Sequence, residues 1–133
     1  MNTEFAKEWI TAYNEQDIER QLALYADDFE FEDVMFPMKC RGKEELRALL
    51  REFHALPDEH STEFVKFTGD STGGAIEWTW TANLKSPKFL GVPSAGKTFH
   101  TSGISALTFE NGKIVVHRDM WNAAAIFKDL GAL

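Results

Sequence analysis

The sequence predicts an α+β domain in which helices pack on one face of a curved, antiparallel (mixed) sheet. Three observations carry that expectation. Apolar residues recur at helical spacing in two stretches before Pro57, and after it the period shifts toward two. An alternating acidic stretch, Asp28-Phe29-Glu30-Phe31-Glu32-Asp33, interrupts the helical half. Glu110-Asn111-Gly112 then separates two long alternating runs, which is a strong hairpin signal. With 133 residues and no internal repeat or linker, the chain reads as one domain over 1–133.

Taken in order, residues 3–13 form an amphipathic helix with Phe5, Trp9 and Tyr13 stacked four apart. Asp17 is placed to cap a second short helix whose apolar side carries Ile18, Leu22 and Tyr25. The acidic strand follows, and residues 35–42 read as irregular. Residues 43–55 form a third helix with Leu46, Leu49, Leu50 and Phe53 on one side, and Pro57 ends it. Strands are expected over 61–68 and 75–84, a loop over 86–96, and a strand pair over 97–109 and 113–121. A last helix covers 123–130, with Gly131 suited to its C-terminal end. Along the final strand Val115, His117, Asp119 and Trp121 share one side, and Ile114, Val116, Arg118 and Met120 the other. Neither side is cleanly polar, which predicts helices on one face of the sheet and a second copy, a homodimer, on the other.

Composition excludes several classes. The formal net charge of −7 argues against nucleic acid and anionic membrane surfaces as partners. No apolar run reaches the ~18 residues that a membrane span needs. The first residues lack the basic and apolar regions of a signal peptide, and the single cysteine, Cys40, has no internal partner. A cytoplasmic protein is the expectation. Eleven phenylalanines and four tryptophans point to an aromatic-rich interior or cavity.

The candidate chemistry begins at Asp33. Counted in steps of two, it continues the apolar face of Phe29 and Phe31, where a carboxylate is unfavourable without partners or a task. Asp33 either points into an enclosed apolar pocket or starts a solvated turn before Pro37. Asp119 shares its strand face with His117 and Trp121; it either meets Asp33 in a common cavity, pairs with an arginine, or caps the last helix. Two carboxylates in an apolar setting suit proton transfer at carbon beside a carbonyl. His117 is either an auxiliary donor or a satisfied core histidine. His54 and His60 are expected to be solvated, and His100 to face away from the interior. The histidines show no metal-ligand spacing, and Cys40 lacks a neighbouring base. Trp78 and Trp80, with Phe31 and Trp9, either wall a pocket for a flat apolar molecule or fill the core.

Several segments carry a family likeness: Leu24-Tyr25-Ala26-Asp27-Asp28, Phe31-Glu32-Asp33, Arg41-Gly42-Lys43-Glu44-Glu45-Leu46, Pro93-Ser94-Ala95-Gly96-Lys97-Thr98-Phe99 and Arg118-Asp119-Met120-Trp121-Asn122. Together they resemble the nuclear transport factor 2-like superfamily, in its SnoaL-like polyketide cyclase branch. The resemblance implies a cone, a bent sheet wrapped around N-terminal helices (the cystatin-like α+β barrel), with a pocket at its open end. By that resemblance Asp33 corresponds to the general base of ketosteroid isomerases. Trp9 and Ser105 stand where those enzymes hold the oxyanion with a tyrosine and an acid. Asp119 corresponds to the last-strand carboxylate of limonene epoxide hydrolases, but Trp78-Thr79-Trp80 replaces the Arg-x-Asp pair those enzymes need. The cyclase branch is contradicted least.

The expected function is cofactor-free acid–base chemistry, polyketide cyclase-like or ketosteroid isomerase-like, on a small apolar ring-containing carbonyl compound. Asp33, Asp119 and His117 are the catalytic candidates. Trp9, Tyr13, Phe31, Trp78, Trp80, Phe99, Ser105 and Trp121 are the candidates for substrate contact. The alternatives are a non-catalytic binding protein using the same pocket, or a structural dimerisation module.

Overall fold

The computed structural model describes residues 2–133 and is organised by a six-stranded curved sheet. In chain order the elements are α1 (Thr3–Asn14), α2 (Ile18–Leu22), β1 (Tyr25–Asp33), β2 (Met38–Arg41), α3 (Gly42–Ala55), β3 (Glu59–Gly69) and β4 (Gly73–Asn83). There follow β5 (Lys88–Phe89), β6 (Val92–Pro93), β7 (Thr98–Glu110), β8 (Lys113–Trp121) and α4 (Ala123–Asp129). The sheet order is β2-β1-β8-β7-β4-β3, and β5 and β6 form a separate small ribbon. Only β1 and β8 run parallel, so the first and last long strands are brought side by side.

Local chemistry explains most boundaries. Asn2 caps α1 by accepting from the Phe5 N–H, and Asp17 caps α2 by accepting from the Arg20 N–H. Asn122 does the same for α4 through Ala125. At the turn between β7 and β8, Asn111 and Gly112 both take positive φ, 50° and 75°, as a twisted two-residue hairpin requires. The end of α1 is fastened to β3 by a reciprocal amide pair: Asn14 Nδ2 donates to the Thr62 carbonyl, and the Thr62 N–H donates to Asn14 Oδ1.

The inner face of the sheet is apolar and is covered by α1 and α3. Phe29 and Phe31 of β1, Ile76, Trp78 and Trp80 of β4, and Phe99 and Leu107 of β7 are all buried. Burial of this kind is worth roughly 1.5–3 kcal/mol per large side chain, and it is what draws the sheet around the helices.

Four expectations need correction. Tyr25 opens β1 rather than extending α2, which stops at Leu22. Residues 38–41, read as irregular, form β2 and pair antiparallel with β1. A register shift where β7 passes β8, between Thr108 and Phe109, turns Ile114 inward, so it is fully buried instead of sharing a side with Arg118. His60 lies on β3, and neither it nor His54 is solvated: the Nε2 atom of each is buried. His100 is exposed, as its parity predicts.

Candidate functional site

The parallel pairing of β1 with β8 places Asp33 beside Asp119, and β7 places Ser105 beside Asp119 on the other side. One row across the sheet therefore carries Asp33, Asp119 and Ser105; the next carries Phe31, His117 and Leu107. These rows face a cavity of about 140 Å³ beneath α1 and α3. Asp33, Asp119 and His117 all line it. So do Trp9, Tyr13, Phe31, Trp78, Trp80 and Trp121. Phe99 and Ser105 do not. Phe99 lies behind the wall, edge-on to Trp80 at 4.9 Å, and Ser105 is wholly buried behind Asp119.

Asp33 is only 6% exposed, yet no cation among the described residues touches it. Its Oδ1 accepts from the Met35 N–H (2.9 Å), the Phe36 N–H (3.2 Å) and Trp121 Nε1 (3.2 Å). Its Oδ2 accepts only from Trp121 Nε1 at 3.1 Å, which leaves that oxygen the freer one. Burial raises the Asp33 pKa; the Trp121 indole pulls it back, the Asp119 charge pushes it up further, and the Phe36 and Met35 N–H groups lower it. The balance is upward.

Asp119 is arranged in the same way. Its Oδ1 accepts from Ser105 Oγ and from His117 Nε2, each at 2.6 Å, and its Oδ2 has no hydrogen bond among the described residues. The bonds behind it have a direction. Indole nitrogens only donate, so Trp78 Nε1 (3.0 Å) gives its proton to Ser105 Oγ, which donates onward to Asp119. Likewise Trp9 Nε1 (3.0 Å) donates to the Tyr25 hydroxyl, which is hydrogen-bonded to His117 Nδ1 (2.8 Å). His117 carries a proton on Nε2, toward Asp119.

Tyr25 is the functional residue that periodicity missed, because it was read as part of a helix. It is 1% exposed, and burial holds its hydroxyl far above the usual tyrosine range. The Tyr13 hydroxyl makes no hydrogen bond among the described residues; burial first, and the Asp119 charge second, keep it protonated. Gln21 also lines the cavity, and its buried Oε1 is unpartnered. No His, Cys, Asp or Glu cluster among the described residues has the geometry to hold a metal.

This site sits in a recognisable family context. The SnoaL-like domain matches residues 6–117 of the chain. The chain belongs to the SnoaL-like family. No curated protein matches it in sequence. Among solved structures, TsrD from Streptomyces laurentii is 22% identical with a TM-score of 0.81, covering 98% of this chain and 94% of that one. A Xanthomonas campestris protein described as a candidate polyketide cyclase is 17% identical with a TM-score of 0.81, covering 96% and 95%. A Catenulispora acidiphila protein of ketosteroid isomerase-like fold, solved with trimethylamine, is 16% identical with a TM-score of 0.81, covering 100% and 96%. At these identities the likeness establishes the cone fold of this SnoaL-like chain, while its chemistry is argued from its own residues.

Proposed function

We propose that the chain is a cofactor-free acid–base catalyst that isomerises or cyclises a small ring-containing carbonyl compound. The observation that carries this reading is the presence of two carboxylates, Asp33 and Asp119, on one aromatic-walled cavity, each with one committed and one freer oxygen. In the proposed step Asp33 Oδ2 removes a proton from carbon beside the carbonyl. The C–H electron pair forms a carbon–carbon double bond and the carbonyl π pair moves onto the oxygen, where the Tyr13 hydroxyl donates a hydrogen bond to the enolate. Returning the proton to another carbon gives isomerisation; attack of the enolate carbon on a second carbonyl gives ring closure. Asp119, backed by His117 and Ser105, orients the substrate and supplies the second proton-handling group.

Size supports a substrate of one ring, since a cavity near 150 Å³ accommodates a benzene-sized molecule. The test is hydrogen–deuterium exchange at the α-carbons of cyclohexanone in D₂O, followed by NMR. Exchange above the buffer rate, falling about 10²–10⁴-fold in Asp33→Asn, is the expected result. Exchange no faster than buffer for cyclohexanone and for cyclohex-3-enone would end the catalytic reading.

A second reading, binding without turnover, is favoured by the neighbour solved with trimethylamine. The same reading of the site includes a homodimer across the outer sheet face, where Val65 and Ile104 are exposed. Light scattering after size-exclusion chromatography tests the dimer.

A further inference from the structure

The polar atoms around the cavity are unequal in kind. Three acceptors lack a full set of donors: Asp119 Oδ2, Asp33 Oδ2 and the buried Gln21 Oε1. Among the described residues that line the cavity none is lysine or arginine. Buried carboxylates in proteins are ordinarily paired with a cation or a metal, and no lysine or arginine among the described residues lines this cavity to serve as one. Its walls are the kind that accept one: Trp9, Trp78, Trp80 and Trp121 offer indole surfaces, the best of the aromatic rings for holding an ammonium group.

We infer that the ligand of this cavity is a single-ring compound carrying a protonated or quaternary amine, with its ammonium group against Asp119 Oδ2 and the indole walls. This deepens the reading proposed above and rests on the cavity being a ligand site. It turns the substrate into an amine-bearing ring carbonyl and leaves Asp33 as the base. It also sets a rule of exclusion: carboxylates and phosphates of the same size are rejected, because each would bring full negative charge toward two aspartates with no lysine or arginine among the described lining residues to offset it.

Three probes with one six-membered ring decide the matter: N-methylpiperidinium, cyclohexanone and cyclohexanecarboxylate, titrated into the full chain by calorimetry and tryptophan fluorescence at pH 7. N-methylpiperidinium is expected to bind about tenfold or more tighter than cyclohexanone, with cyclohexanecarboxylate weakest. Asp119→Asn is expected to erase that preference, leaving the amine no tighter than cyclohexanone. Cyclohexanone binding as tightly as the amine, or failure of all three to bind at millimolar concentration, overturns the inference. If Asp119→Asn does not fold, the ranking on the unmodified chain still decides. Tight cyclohexanone binding with α-proton exchange and no amine preference removes the amine and leaves the carbonyl chemistry standing.

Discussion

Asp33 and Asp119 are register partners on neighbouring parallel strands, although the chain between them contains most of the sheet. Paired strands lie about 4.8 Å apart, so the two carboxylates share one local environment. The pairing is reinforced at its end, where the Val34 N–H donates to the Asp119 carbonyl at 3.0 Å. The site is thus built by a backbone ladder rather than by a flexible loop.

Asp33→Asn separates the function of that residue from its stability. Burial raises the Asp33 pKa, so the native state keeps its proton to higher pH than the unfolded chain does. Stability therefore falls as pH rises from the ordinary carboxylate value through the raised one. Asparagine removes this penalty while its Oδ1 still accepts the Met35 and Phe36 N–H groups. The variant is expected to melt at or above the wild-type temperature at pH 7, with the gap closing toward pH 4, and to lose about 10²–10⁴-fold in α-proton exchange. A lower melting temperature at pH 7 would show that the ionised carboxylate stabilises the fold.

Gly103→Ala tests how Trp78 is seated. A Cβ at position 103 would lie 2.5 Å from Trp78 Cη2 and 2.7 Å from the Met120 carbonyl oxygen. The indole must then lift from the β7 backbone, and its bond to Ser105 breaks. The expected loss is roughly 1–3 kcal/mol, or about 3–5 °C in melting temperature per kcal/mol for a chain of this length. Trp78→Phe should relieve the part of the Gly103→Ala penalty that comes from the indole, leaving the part from the Met120 carbonyl, in a double-mutant cycle. Additive effects would show that the two residues are not coupled.

Much of this arrangement is legible in the sequence. Alternation alone turned Phe29, Phe31 and Asp33 inward, and on the last strand it put His117, Asp119 and Trp121 together. What was not legible depended on tertiary detail. The strand β2 is too short, and too close to Pro37, for periodicity to register. Tyr25 sits where a helical reading and a strand reading coincide, and the irregularity near Ile114 reverses the inward count. Phe99 has the right parity for the cavity, but the large Trp80 ring stands in front of it. The partners of the four indole N–H groups lie 16 to 88 residues away in sequence, beyond the reach of local pattern.

Tyr25→Phe should loosen the relay behind Asp119. Removing the hydroxyl leaves Trp9 Nε1 and His117 Nδ1 without their partners, in a region where His117 is 2% exposed. Buried orphan groups are unfavourable by about 1–3 kcal/mol each, so a stability loss of that order or somewhat more is expected. The tautomer preference of His117 should weaken as well. Nitrogen-15 NMR of the imidazole in wild type should show the proton on Nε2. A wild-type spectrum with Nε2 unprotonated would show that Asp119 does not accept from His117.

The behaviour in acid should be governed by His60, on β3. Trp80 Nε1 can only donate, and it donates to His60 Nδ1 at 2.9 Å, so the imidazole is neutral with its proton on the buried Nε2. Burial lowers the His60 pKa to about 4; Asp58 opposes the shift and His54, itself lowered by burial, adds to it. A second proton would point an N–H at the indole N–H. The unfolded chain therefore binds that proton first, and stability is retained above about pH 6.5 and lost as pH falls from there toward 4. Allowing for partial exposure, the loss is on the order of 2 kcal/mol, and it runs opposite in sign to the contribution of Asp33. His60→Gln keeps an acceptor for Trp80 without the titration, so urea unfolding at pH 7, 6, 5 and 4 should give it a flatter profile than wild type. Parallel profiles would mean that His60 is charged in the native state and that the Trp80 bond is made by another acceptor.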